Sequence, residues 1–200
     1  MTIVLGLDGS MTAFGWAALR LGESHELDEP VGLGCVRTSK EAAARHVYMA
    51  DDDGRRLDEI ADVLIAAVQL YEPRLIVIEA PAGAQHANSA KALGLSYGLS
   101  RTLARCFDIP CITIQAEEPR RVLVGRRNAS KTEMEEWCLA RWPSSLALLR
   151  PKASKPEREG AFDALTVAAT GARSAVAGPL RPQRKAIVRA SWDPTEPSQG

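Results

Sequence analysis

Residues 74–79 read Arg-Leu-Ile-Val-Ile-Glu, a nearly continuous apolar run. A run of this kind predicts a central strand buried on both faces. Pro110–Gln115 has the same character. Segments of helical period surround these runs. Leu57, Ile60, Ala61, Leu64, Ile65 and Val68 recur at i, i+3, i+4, i+7, i+8 and i+11, which predicts a helix over 54–71 that Pro73 ends. A second helix is expected over 88–107, with Asn88 or Ser89 as its cap. Upstream, residues 3–8, 12–20 and 31–37 read as strands, and their short connections favour an antiparallel meander. The expected architecture is α/β: a mixed five-stranded sheet with helices on both faces.

The rest of the chain is organised around this frame. Residues 38–53 read as a loop whose acidic end, Asp51-Asp52-Asp53, solvates it and caps the next helix. Residues 117–124 predict a short helix. Ser130 predicts the cap of a helix running to Trp142, with Glu133 completing a capping box. Residues 144–159 are polar and rich in Pro and Lys, and are expected to be mobile. A last helix is expected over 160–173. Beyond Gly178, Pro179, Pro182, Pro194 and Pro197 with scattered charges indicate a disordered tail. The domain division expected is therefore 1–173 for one folded domain and 174–200 for the tail. Two hundred residues, 46% hydrophobic and 25% charged, suit one domain plus an appendage.

No apolar run approaches the ~18–20 residues of a membrane span. The N-terminus is a strand pattern without a preceding basic region, so no signal peptide is expected. The four cysteines, Cys35, Cys106, Cys111 and Cys138, show no CxxC and no regular spacing. They read as buried reduced thiols in a cytoplasmic protein. Trp137 and Trp142 read as helix core. His25, His46 and His86 have no ligand-like spacing, although His86 falls near the expected cleft.

Three apolar segments each deliver one carboxylate: Ile3–Asp8, Leu75–Glu79, and Ala161–Ala169 with Asp163 inside it. A charge at the edge of a buried run needs a compensator. Ligands in mixed sheets gather at the carboxyl ends of parallel strands, where Asp8 and Glu79 are expected to lie. Asp163, Val167 and Thr170 share a helical stripe, so a core-facing helix would carry Asp163 inward. Oxygen ligands of this type suit Mg²⁺. Two such ions ~3.5–4 Å apart can activate a water and stabilise the leaving oxygen of a phosphodiester.

At these residues the chain resembles the RuvC family of Holliday-junction resolvases, within the ribonuclease H-like superfamily. The resemblance spans roughly residues 2–173. It rests on Val77-Ile78-Glu79; on Ala87-Asn88-Ser89-Ala90 with Leu93-Gly94 and Gly98; on Val124-Gly125 with Ala129-Ser130-Lys131; and on Asp163-Ala164-Leu165. It implies a ribonuclease H-like fold and a homodimeric endonuclease that cuts four-way DNA junctions with Mg²⁺ or Mn²⁺, two ions per site. It also implies that Asp8, Glu79 and Asp163 are metal ligands and that Lys131 lies near the scissile phosphate.

The chain departs from the family pattern in three places. The turn after Asp8 is Gly9-Ser10, one residue shorter. Position 160, where the family carries a further ligand, is Gly, which leaves Glu159 as the candidate fourth ligand and Glu157 behind it. Position 82, where the family often has a base-stacking aromatic, is Ala, so relaxed cleavage-sequence preference is expected.

Residues 1–110 hold 10 Lys/Arg against 15 Asp/Glu, and residues 111–200 hold 15 against 10. Arg120, Arg121, Arg126 and Arg127, beside Lys131, are candidate phosphate contacts. Arg150, Lys152, Lys155 and Arg158 are candidates for a flexible clamp. Ala90, Gly94 and Gly98 form a small-residue stripe on the second helix, read as a two-fold dimer contact. Three rivals remain at this level. One is a branched-DNA nuclease acting on flaps and forks, one a non-catalytic junction binder, and one a sugar- or acetate-kinase-like phosphotransferase.

Overall fold

The computed structural model describes residues 2–23, 26–41, 48–83 and 86–176. Three antiparallel strands open the chain: β1 (Thr2–Asp8), β2 (Ala13–Leu21) and β3 (Leu27–Arg37). Then come α1 (Met49–Tyr71), β4 (Leu75–Glu79), α2 (Ala87–Cys106) and β5 (Cys111–Ile114). A single π-helical turn (Arg120–Val124) leads to α3 (Lys131–Arg141), α4 (Ser145–Leu148) and α5 (Lys155–Val176). The sheet order is β3-β2-β1-β4-β5, with β1–β4 and β4–β5 parallel. This is the expected mixed five-stranded sheet.

Alternation along the strands sorts the apolar side chains into two cores. Val4, Leu75 and Val77 pack with Ala164, Ala168 and Ala172 of α5 on one face. Leu5, Leu7, Ile76 and Ile78 pack with Ile60 and Leu64 of α1 and Leu103 of α2 on the other. The first face is built from unusually small groups. A methyl group at Gly6 would run into the Ala164 carbonyl, and one at Gly15 into the Gly160 carbonyl. Helix α5 therefore lies backbone-close on β1 and β2, at the end of the sheet where Asp8 emerges.

Several boundaries differ from expectation. Helix α1 begins at Met49, so the acidic run lies in its opening turns: Asp52 pairs with Arg55 at 2.7 Å, and Asp53 with Lys91 at 2.5 Å. The cap residue of α2 is His86, without a side-chain bond, in place of Asn88 or Ser89. The short helix expected over 117–124 is the π turn, closed by Gly125 at φ +84°. Residues 144–159 are not a single loop: they contain α4 and the first turn of α5. Ser174–Val176 end α5, and the rest of the expected tail, 177–200, lies outside the described residues, as do His25 and His46.

Trp142 is buried and donates to the Asp28 carbonyl at 2.6 Å, with Trp137 edge-on to it at 5.5 Å, so both tryptophans are packing residues. Among the described residues there is no disulfide, and Cys106 is exposed where a buried thiol was expected. No helix among them is long and apolar enough to cross a membrane.

Candidate active site

Asp8 and Glu79 are the last residues of two adjacent parallel strands, one step beyond the paired Leu7 and Ile78. Alternation puts Asp8 on the same face as Val4 and Gly6, and Glu79 on the same face as Leu75 and Val77. That is the face α5 covers. Asp163 sits on α5 one residue before Ala164, whose carbonyl crosses Gly6. The close seating of α5 is what brings the third carboxylate to the strand ends.

Lys131 enters from the first turn of α3. The Ser130 hydroxyl accepts from the Glu133 N–H at 3.2 Å while the Glu133 carboxylate accepts from the Ser130 N–H at 2.7 Å, the expected capping box. This fixes the helix start, and Lys131 Nζ donates to Asp163 Oδ2 at 2.8 Å. Arg120, Pro119, Met134 and Thr166 complete the cleft around Asp8, Glu79, Asp163 and Lys131.

The electrostatics show carboxylates with too little compensation. Burial, then the charges of Glu79 and Asp163, push Asp8 up to about 7, against the pull of Lys131. Burial and the Asp163 charge raise Glu79, while Lys131 and Arg120 oppose the rise. Burial disfavours the charge of Lys131, but the hydrogen bond to Asp163 and the nearby carboxylates hold its pKa above the usual lysine range.

Carboxylate oxygens are the donor set that a hard divalent cation requires, and two acids raised by burial and mutual repulsion are what such a cation would relieve. The donor chemistry therefore fits a metal. Among the described residues, no three Asp, Glu, His or Cys side chains are grouped to hold an ion as they stand, and the Lys131 ammonium supplies the countercharge at Asp163.

The other sequence candidates divide. Glu159 lies one turn before Asp163, outside the cleft lining, with Lys155 Nζ 3.7 Å away. Glu157 is committed elsewhere: it accepts from the Ser154 N–H at 2.7 Å and from Arg150 Nε at 2.8 Å, and the Ser154 and Arg150 bonds hold it down to about 2. Gly160 carries no ligand, and a Cβ there would meet Cys35 Sγ at a tight 3.1 Å.

Arg120 lines the cleft; Arg121 and Arg127 are exposed and outside its lining, and Arg126 is tied to Glu133. The clamp expected from Arg150, Lys152, Lys155 and Arg158 is largely spoken for. Arg150 pairs with Glu157, Lys155 with Glu159 and Arg158 with Glu135, leaving Lys152 at an exposed turn with φ +62°. Ala90, Gly94 and Gly98 are exposed on α2, and apart from the helix's own backbone no described residue lies within 4 Å of a Cβ built at either glycine. Sequence reasoning missed Leu93 and Tyr97, which line a chamber with Asp8, Glu79 and Ala82. Their i, i+4 spacing was the available signal.

No family model matches the chain. It is 30% identical over 135 residues to the crossover junction endodeoxyribonuclease RuvC of Shewanella frigidimarina, covering 68% of this chain and 71% of that one. It is 27% identical over 135 residues to the enzyme of the same name from Shewanella woodyi, with the same coverage. Its fold is similar to Thermus thermophilus RuvC solved in complex with Holliday junction substrate, with TM-score 0.67 and 19% identity, covering 89% of this chain and 97% of that one. The yeast mitochondrial Holliday junction resolvase Ydc2 is similar at TM-score 0.58 and 12% identity, covering 86% and 78%.

Proposed function

The chain belongs to the RuvC family of crossover junction endodeoxyribonucleases, and from that premise we propose that it resolves four-way (Holliday) DNA junctions by paired, symmetric phosphodiester cuts. The observation that carries this reading is the meeting of Asp8, Glu79 and Asp163 in one cleft with Lys131 and Arg120. Asp8, Glu79 and Asp163 would hold Mg²⁺ or Mn²⁺, two ions per site, and the bound metal would activate water and stabilise the leaving oxygen. Glu159 is the proposed fourth carboxylate, reached once its pairing with Lys155 is given up.

The chain's own residues do the rest. Half-buried carboxylates concentrate negative charge where a cation docks. Lys131, anchored by Asp163, and Arg120 present positive charge to the phosphate as charge builds on it. Arg121, Arg126, Arg127, Lys152 and Lys155 are proposed backbone contacts that add affinity without reading sequence. The exposed stripe of Ala90, Gly94 and Gly98 is proposed to meet its own copy, so that two clefts face the two strands cut in a symmetric junction. Ala82 offers no ring to stack on a base, so cuts are expected at many sequences rather than one.

The test is incision of a mobile four-way junction in Mg²⁺, with the cuts mapped. Wild type should nick two opposed strands at dispersed sequences. Glu79→Gln should lose at least about a hundred-fold in rate, and Glu159→Gln should lose less. Junction binding by the wild type without incision, or equal cutting of flaps and forks, would overturn the reading.

A further inference from the structure

Three open spaces on this surface lie in a row, each sharing wall residues with the next. The cleft shares Asp8 and Glu79 with the chamber walled by Ala82, Leu93 and Tyr97. Leu93 is in turn part of the wall of a third space, a groove of about 970 Å³ including the part open to solvent, larger than either of the others. The groove runs between the 10–12 turn that follows Asp8, Lys40, the start of α1 and the first turns of α2.

Its chemistry is the reverse of the cleft's. Among the described residues that line it, Lys40, Arg56 and Lys91 face one carboxylate, Asp53, a net of +2. Arg56 is only 3% exposed, and its guanidinium is fully engaged: it donates to the Met11 carbonyl at 2.7 Å and to Thr38 Oγ1 at 2.8 Å, and lies 3.6 Å from Asp53. Lys91 also holds Asp53. These residues build a fixed, positively charged wall. Lys40, Asn88 and Ser89 are exposed along it and carry no side-chain bond or ion pair among the described residues. Helix α2 starts there without a side-chain cap from His86, so its first-turn N–H groups add partial positive charge.

We propose that this groove holds the sugar–phosphate backbone of the strand being cut, continuing from the scissile phosphate, with the Tyr97 chamber between them taking the intervening base. The inference rests on the nuclease reading above and extends it. Three features select a nucleic-acid strand as the occupant. The groove adjoins the middle chamber at Leu93, and the chamber adjoins the carboxylate cleft at Asp8 and Glu79. The groove's net charge complements phosphate. The middle chamber sets the Tyr97 ring and the apolar Ala82 and Leu93 opposite Asp8 and Glu79, which suits a base with one face stacked and polar edges.

The experiment measures binding of a fluorescent four-way junction by anisotropy, without divalent metal, across a salt series, for wild type, Lys40→Ala and Ser89→Asp. Lys40→Ala should reduce the slope of log K against log[salt] by about 0.7–0.9, the signature of one lost phosphate contact. Ser89→Asp, which places a carboxylate in the path, should weaken binding about ten-fold or more. Both side chains are exposed, so both variants should keep the wild-type melting temperature. Wild-type affinity and slope in both variants would overturn the proposal. The readout is independent of cleavage. A wild type that binds but does not incise removes the catalytic reading while the groove is still scored, whereas incision with unaltered variant binding removes the groove alone.

Discussion

Asp8 sets function against stability. Its carboxyl titrates at about 7 in the folded chain against 3.8 as its ordinary value, because it is buried beside Glu79 and Asp163. The folded state thus holds this proton more tightly than the unfolded state. The resulting stabilisation is full below pH 3.8, is lost as pH rises through about 7, and leaves a charged group the fold disfavours above that. Replacing the charge with an amide should relieve the conflict. Asp8→Asn is expected to be more stable than wild type at pH 8 without metal, by a few kcal/mol at most, since each tenfold difference in proton affinity between the folded and unfolded chain is worth about 1.4 kcal/mol. That advantage should shrink towards pH 4, and the variant should not incise junctions. Urea unfolding at pH 5 and pH 8 checks the sign. An Asp8→Asn advantage that grew on acidification would contradict it. Asp8, Glu79 and Asp163 were legible in the sequence because each sits at an end or on a stripe of an element whose period is readable, whereas Arg120 stood out only as part of a basic cluster and Lys131 only through the family resemblance. Tyr97 and Leu93 were not, since their spacing on α2 is that of ordinary core residues.

At the scale of elements, α5 is the part that assembles the site. It reaches β1 and β2 only because Gly6 and Gly15 have no side chains beneath the Ala164 and Gly160 carbonyls. Gly15→Ala should therefore cost about 1–3 kcal/mol by overpacking. It should also lower incision, by lifting Asp163 away from Asp8. Thermal unfolding combined with the junction assay checks this; wild-type activity at reduced stability would show that the site tolerates the shift. The periodicity of 57–68 and the apolar runs at 75–78 and 111–114 were sufficient to reveal α1, β4 and β5. The start of α5 was not recognised, because Lys152, Lys155 and Pro156 read as loop composition. Proline is tolerated in a first helical turn, and Ser154 with Glu157 repeats the Ser-x-x-Glu spacing seen at Ser130 and Glu133. The signal was present there and was outweighed by composition.

For the whole molecule, the exposed glycines of α2 matter most. Each costs ~1 kcal/mol of helix propensity relative to Ala, yet, apart from the helix's own backbone, nothing among the described residues lies within 4 Å of a Cβ built at Gly94 or Gly98. A reason internal to the chain is absent among the described residues, which is why a second copy is the proposed partner. Gly94→Trp should leave the fold intact by circular dichroism, convert a micromolar dimer to monomer in sedimentation, and turn paired cuts into single nicks. A wild type that sediments as a monomer would remove the dimer.

The order of elements apart from α4, the two-sided burial of β4 and the placing of three carboxylates at strand ends and on the last helix were legible in the sequence alone, because hydrophobic period and charge at the edge of an apolar run are local properties; β5 instead lies at the sheet edge with Thr113 exposed, where a buried strand was expected. Tertiary structure decided which residues lie close enough to act on one another. It showed Glu157 held in a helix cap, Gly160 pressed against β2, Lys131 bound to Asp163, and three neighbouring surface spaces that share Asp8, Glu79 and Leu93 as wall residues. Those relations depend on how closely α5 and α2 approach the sheet, and that distance is set by packing between segments far apart in the chain.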